Sequence, residues 1–160
     1  MTSITDLHSA NKKIDKFNQN AYIKSMKINT KIRYSLRMLV ILASNKEVIN
    51  TVELGKEMMV SPKYLRKLAG PLEKHKLIKS AQGIYGGYQL NKKPDQITLA
   101  SIFIANNVEL NITNCFSPKK KCPLSKDCLT RPLWRHMEEV LQKQFYNISL
   151  TDILSNNFNK

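Results

Sequence analysis

The sequence predicts a mainly α chain that carries one small β-hairpin and closes on a long helix. Three observations carry that reading. Apolar residues recur at three- and four-residue steps in successive windows, the mark of amphipathic helices. A glycine-rich stretch, Gly83 to Tyr88, divides two short β-prone runs. A last apolar seam then extends from about Pro132 to Phe145. At 160 residues the chain fits one domain or a small domain with an appendage, and so modest a core favours association into a dimer.

The elements follow in order. Residues 1–25 are polar, rich in Asn, Lys and Ser, and are expected to form a disordered or weakly helical extension. The texture changes at Met26, a candidate start. Ile28, Ile32, Leu36, Leu39, Val40 and Ala43 make a helical stripe, with Lys31, Arg33 and Arg37 between them. A short helix is expected over 51–58, capped by Thr51, with Glu53 in its first turn and Leu54 and Met58 inward. Met59 to Pro62 reads as a turn into the next helix, with Ser61 as N-cap and Pro62 at the first helical position. Tyr64, Leu65, Leu68, Leu72 and Leu77 continue that helix, and Gly70-Pro71 is expected to kink or divide it.

Ile78–Ala81 and Gly87–Leu90 are the hairpin strands, flanking the turn-forming Gln82 to Gly86, and Pro94-Asp95-Gln96 closes the unit. Thr98 caps a helix over 98–106. The last helix has its seam at Leu133, Trp134, Met137, Val140, Leu141 and Gln144, and a polar back at Arg135, Glu138, Glu139, Gln142 and Lys143. The expected division is an extension over 1–25, a helical and hairpin unit over 26–97, and a remainder over 98–160.

Charge narrows the partners. Lys and Arg number 26 against 12 Asp and Glu, a formal net charge of +14, which points to a polyanion, nucleic acid ahead of acidic membrane. No stretch approaches the roughly 18 apolar residues of a membrane span, and the N-terminus has no apolar signal-peptide region. An odd count of three cysteines with no export signal points to a reducing cytoplasm. The chain has no P-loop, dinucleotide fingerprint or nucleophile elbow, and His8, His75 and His136 do not cluster with carboxylates, so no enzyme is expected.

Helix, helix, turn, helix and hairpin is the order of a winged helix-turn-helix, whose second helix enters the major groove. Its polar face offers Ser61, Lys63, Tyr64, Arg66 and Lys67, with Lys74, Lys76 and Lys79 beyond. Arg66 and Lys67 are the candidates for guanine edges or close phosphates, Ser61 and Tyr64 for the backbone. The wing residues Gln82, Gly83, Tyr85, Gly86, Gly87 and Tyr88 form the second DNA-facing group. Its glycines are expected to permit positive φ and a close approach to the sugar-phosphate chain. A merely solvated basic face, and a Tyr64 that belongs to the core, are the plain alternatives.

The chain's cysteines are Cys115, Cys122 and Cys128, spaced C-x6-C-x5-C among Lys, Pro, Ser and Asp. Thiolates gathered on a polar loop suit a soft metal or an iron–sulfur cluster, and the run lacks a fourth ligand. Zinc is the structural alternative, although the tight C-x2–4-C knuckle is missing. Thiol redox sensing is another, with Lys119, Lys120, Lys121 and Lys126 lowering nearby thiol pKa values. A ferredoxin-like electron carrier would explain the cysteines but leave the wing and the basic charge unexplained.

The runs MKINTKIRYSLRMLVILAS, VSPKYLRKLAGPLEKHKLIKS, GIYGGYQL and ITLASI, with the cysteine trio, resemble the Rrf-type winged-helix regulators, the family of IscR and NsrR. The resemblance covers residues 26 to about 154. It implies a cytoplasmic, homodimeric DNA-binding transcriptional regulator, a repressor in the first instance, that reads a pseudo-palindromic operator. The cysteine trio would hold an iron–sulfur cluster, 2Fe–2S ahead of 4Fe–4S, sensing cluster status, iron, redox state or nitric oxide. The long last helix would cross its two-fold mate.

The chain departs from the family pattern at four places, one of them Arg66, where some cluster-bearing members carry an acidic residue in the recognition helix. Gln82 stands where an Arg often precedes the first wing glycine. Arg131 stands where IscR-like members have a His ligand, and Arg33 where NsrR-like members have an Asp ligand. Arginine stays protonated and cannot ligate iron. The fourth-ligand candidates are therefore His136, Asp127, a partner-subunit residue or an exogenous molecule.

Overall fold

The computed structural model describes residues 28–45, 47–83, 86–116 and 122–158; the expected extension over 1–25 and Met26 lie outside the described residues. Helix α1 (Thr30–Ser44) opens on Asn29, whose side chain accepts from Lys31 N at 2.8 Å. Its inward stripe is Ile32, Ser35, Met38, Leu39 and Leu42. Ile28, expected on that stripe, precedes the helix and is exposed, because Asn29 is the cap and Thr30 the first helical residue.

A two-residue strand, β1 (Ile49–Asn50), leads directly into α2 (Thr51–Met58). The cap of α2 is Asn50, not Thr51: its Oδ1 accepts from Val52 N at 3.0 Å and Glu53 N at 2.8 Å, which makes Thr51 the first helical residue. Met59 ends α2 in the left-handed region at φ 55°, satisfying the Lys56 carbonyl, while Val60 N reaches the Gly55 carbonyl.

Ser61 then caps α3 (Pro62–Lys74), accepting from Tyr64 N at 3.2 Å, with Pro62 in the first turn as the sequence predicts. Gly70-Pro71 does not divide this helix. It runs on to Lys74, and Leu77, expected on its stripe, lies beyond its end, buried below the turn where Lys76 takes a φ of 56°.

The hairpin strands are β2 (Ile78–Ala81) and β3 (Gly87–Leu90), at the predicted positions. The sheet has a third member that the sequence does not reveal: the strand order is β1-β3-β2, all antiparallel, with Ile49 opposite Tyr88 and Asn50 opposite Gly87. Gly87 is required by that contact. A Cβ there would collide with the Ile49 carbonyl and lie 2.7 Å from Asn50 Cα.

Pro94–Gln96 forms a single 3-10 turn and Thr98 caps α4 (Leu99–Ala105), accepting from Ser101 N at 3.2 Å. Buried Asn106, just past α4, donates to Ser35 Oγ at 3.2 Å and to the Ile102 carbonyl at 2.9 Å, pinning α1 to α4. A 3-10 turn over Asn114–Phe116 starts the cysteine loop, and α5 (Arg131–Asn147) follows it. The C-terminal end of α5 stacks Phe145 on Phe103, centroids 5.1 Å apart.

The chain then turns back. Leu99 N donates to the Ile148 carbonyl at 2.8 Å and Leu150 N to the Ile97 carbonyl at 2.9 Å. A further short helix, α6 (Leu150–Leu154), packs against α1, held by a capping box in which Ser149 N donates to Asp152 Oδ2 at 2.8 Å. One core cluster joins these parts, from Met38, Leu39 and Leu54 through Leu65 and Leu68 to Ile97, Ile102 and Leu150.

Candidate DNA-reading surface and cysteine loop

Helix α3 divides cleanly between core and solvent. Leu65, Leu68, Ala69 and Leu72 are buried, and Ser61, Lys63, Arg66 and Lys67 are exposed. Lys63, Lys67 and Lys74 repeat at helical spacing on the open side. Tyr64 is half-buried, with its ring edge-on to Tyr34 at 5.8 Å, and Arg37 lies over the Tyr34 ring at 5.7 Å. This brings Arg37 of α1 beside the start of α3. Local pattern does not reveal that neighbour, because Arg37 reads only as the polar back of its own helix.

In the wing, Gln82 and Gly83 are exposed, and Gly83 has a φ of 107°, the left-handed geometry glycine allows. Gly86 N donates to the Gly83 carbonyl at 2.9 Å, closing the turn. Gly86 is half-buried and a Cβ there would meet the Ala81 carbonyl oxygen at 2.5 Å. Gly86 and Gly87 are thus demanded by neighbouring backbone rather than by positive φ. Tyr85 lies outside the described residues.

Tyr88, grouped by the sequence with the DNA-facing residues, has its ring in the core at 9% exposure. Burial pushes its phenol above the ordinary range, Glu73 adds to this and Arg66 opposes it. Glu73 also accepts from Ser80 N at 3.2 Å, tying α3 to β2. An open cleft of about 470 Å³ lies between the start of α2 and the wing, lined by Thr51, Glu53, Lys56 and Gly86.

Cys115, Cys122 and Cys128 are all half-buried free thiols. Cys115 lies in the 3-10 turn, Cys122 in a loop whose carbonyl accepts from Ser125 N at 3.1 Å, and Cys128 immediately before α5, its carbonyl accepting from Arg131 N at 3.2 Å. The Cys128 thiol is held below the usual thiol range, first by its contact with the Thr130 hydroxyl at 3.3 Å and then by the backbone there.

Three soft sulfur donors fit the chemistry of an iron–sulfur cluster. Among the described residues, however, no three His, Cys, Asp or Glu side chains converge closely enough to hold a metal ion. His136 and Asp127 are both exposed. Ser117 to Lys121, which connect the first two cysteines, lie outside the described residues.

The loop is docked on α5. Glu138, which the sequence places on the polar back of that helix, is 5% exposed, because the loop covers it. Its Oε1 accepts from Thr113 N at 3.1 Å and Thr113 Oγ1 at 3.3 Å. Phe116 lies under both Arg131 and Arg135, at 5.0 and 5.1 Å. The expected seam faces solvent in this single chain: Leu133 is 55% exposed and Val140 45%, with Trp134 and Met137 alongside. No helix among the described residues is long and apolar enough to cross a membrane.

A family model described as Rrf2, iron-dependent transcriptional regulator, matches residues 28–156. The HTH-type transcriptional regulator IscR of Sodalis glossinidius is 32% identical over 133 residues, 82% of this chain and 80% of that protein. Among solved structures, CymR, the global cysteine regulator of B. subtilis, superposes with a TM-score of 0.67 at 26% identity, covering 82% of this chain and 98% of its own. The oxidized form of Staphylococcus aureus CymR gives 0.60 at 28% identity, covering 81% and 96%.

Proposed function

The chain belongs to the Rrf2 family of transcriptional regulators, and from that membership we propose that it is a homodimeric repressor of a pseudo-palindromic operator, switched by an iron–sulfur cluster on Cys115, Cys122 and Cys128. The observation that carries this reading is the docking of the cysteine loop on α5, the helix whose exposed apolar seam suits a second copy of the chain. A two-fold pair would set two α3 helices about one DNA turn apart. Lys63, Arg66 and Lys67 would then meet bases and phosphates, with Gln82 and Gly83 at the wing tip. A cytoplasmic site of action goes with this reading.

The cluster, when bound, would supply a centre that iron supply, oxidants or nitric oxide can dismantle. The chain's own part is to offer three thiolates and to seat two of them, Cys115 and Cys128, at the N-terminal half of α5. Both familiar fourth-ligand positions carry arginine, so the last ligand is His136, Asp127, a partner-subunit group or an exogenous molecule. A second reading, a thiol switch without a cluster, is supported by the contact of the Cys128 thiol with the Thr130 hydroxyl at 3.3 Å, which favours its thiolate.

The test is anaerobic purification of the wild type and Cys122→Ala, with visible absorption and iron and sulfide analysis. A coloured wild type with stoichiometric iron and sulfide, bleached by the substitution, is the expected result. A wild type that stays colourless and iron-free after reconstitution refutes the cluster and leaves the thiol switch.

A further inference from the structure

Helix α5 has an inverted pattern over its first half: Leu133, Trp134, Met137 and Val140 are exposed, and its one buried residue among those described is a carboxylate. Burying Glu138 sacrifices hydration that only hydrogen bonds restore. The partners that restore it come from the residue two before the first cysteine. Thr113 donates its backbone N–H and its hydroxyl to Glu138 Oε1, and the same hydroxyl oxygen accepts from Cys115 N at 3.3 Å. The polarity runs one way through the relay: Cys115 N–H to hydroxyl oxygen, hydroxyl hydrogen to carboxylate.

A second fastener lies on the other side of Cys115, where Phe116 rests under the Arg131 and Arg135 guanidiniums. Arg131, Arg135 and Glu138 share one helical face, so the Cys115 arm lies along the first two turns of α5. Cys128 is tied to the start of the same helix through its own carbonyl. A change of state at the cysteines therefore either slides the arm along α5 or, where the arm is held, is passed to the start of the helix. The buried anchor decides between these.

We propose that Glu138 is a positioning residue that, through Thr113, locks the Cys115 arm to α5 and so converts a change of state at the cysteines into movement of that helix. The proposal rests on the cysteine-sensing reading above, and adds to it the element that transmits the signal.

Two readouts test it on the full-length chain. In metal-free, reduced protein, iodoacetamide labelling of Cys115 relative to Cys122 is followed by peptide mass spectrometry. Each of Thr113→Val and Glu138→Ala removes two hydrogen bonds and is expected to raise that ratio at least about fivefold, the factor that a single bond of about 1 kcal/mol represents, while Thr113→Ser stays at the wild-type value. In the second readout, operator affinity is compared between cluster-loaded and metal-free protein. The wild-type difference is expected to shrink toward unity in Thr113→Val with iron and sulfide content unchanged, and to return in Thr113→Ser.

Thr113→Val removes only the hydroxyl and keeps the backbone bond, so it decides the matter even where Glu138→Ala fails to fold. A Thr113→Val protein with wild-type labelling and a wild-type affinity difference overturns the lock. A wild type whose operator affinity ignores loading overturns the sensing reading and the transmission together, whereas a failed lock leaves the wild-type difference intact.

Discussion

Replacing Gly87 with alanine should cost this protein a large share of its stability, for a reason confined to one methyl group. The new Cβ would overlap the Ile49 carbonyl oxygen and lie 2.6 Å from the carbonyl carbon and 2.7 Å from Asn50 Cα, all of it backbone that no rotamer change can clear. Relief requires β1 to part from β3. That gives up one or two strand hydrogen bonds at about 1 kcal/mol each and part of the burial of Ile49, about 1.5 kcal/mol. The total is about 2–4 kcal/mol, against a stability of roughly 5–15 kcal/mol for an ordinary domain.

A melting temperature lower by about 10 °C is the expected result in a circular dichroism melt. Urea denaturation should show a lower midpoint at similar slope. Gly70→Ala is the internal comparison. Nothing lies within 4 Å of a Cβ there, and a helix-propensity gain of about 1 kcal/mol is offset by the clash of a pre-proline Cβ with Pro71, so the change should stay within about 1 kcal/mol of zero. Equal effects at the two glycines, or a Gly87→Ala protein as stable as the wild type, would refute the reasoning.

Three further outcomes follow from the same geometry. Ser61→Ala removes the cap of α3 and should lower stability by about 1 kcal/mol, read from urea denaturation. Arg66→Ala should weaken DNA binding; if Arg66 contacts a phosphate, the slope of log affinity against log salt falls by about 1 in fluorescence anisotropy titrations, and if it reads a base, sequence preference relaxes instead. The depressed pKa of Cys128 means more thiolate at neutral pH than a free cysteine has, so its alkylation rate should rise at a lower pH than that of a cysteine peptide. Thr130→Val, which removes the largest cause, should move that rise back toward the ordinary thiol range.

Much of the architecture was readable from local pattern, and the misses have a common physical origin. Ser61-Pro62 announced the start of α3 because caps are local chemistry, and the two hairpin strands fell where β-prone runs bracket glycine. Strand β1 could not be seen, since two residues show no alternation and Ile49-Asn50 becomes a strand only by pairing with residues almost forty positions later. Helix α6 is five residues long, too short for a periodic signal. Tyr88 and Glu138 misled for complementary reasons. An aromatic in a glycine-rich motif reads as a contact residue and a glutamate between polar neighbours reads as solvated, yet distant chain covers both. The cysteine spacing was plain from the start, and what the sequence could not reveal is that the loop is fastened to α5 on both sides of Cys115.

Among the described residues, helix α5 is held at its far end by the Phe145–Phe103 stack and by the pairing of residues 148–150 with 97–99, and at its near end by the cysteine loop. Mechanically that is a lever with its pivot at the DNA-reading domain and its handle at the thiols. A helix of 17 residues is about 25 Å long, so a handle displacement of about 2 Å swings the axis by roughly 5°. In the proposed symmetric pair each copy would swing its own lever, and the errors in aim of the two reading heads would add. On the proposed cysteine-sensing reading, a modest rearrangement among three sulfurs would thereby be magnified into a change in how well both heads reach their half-sites together.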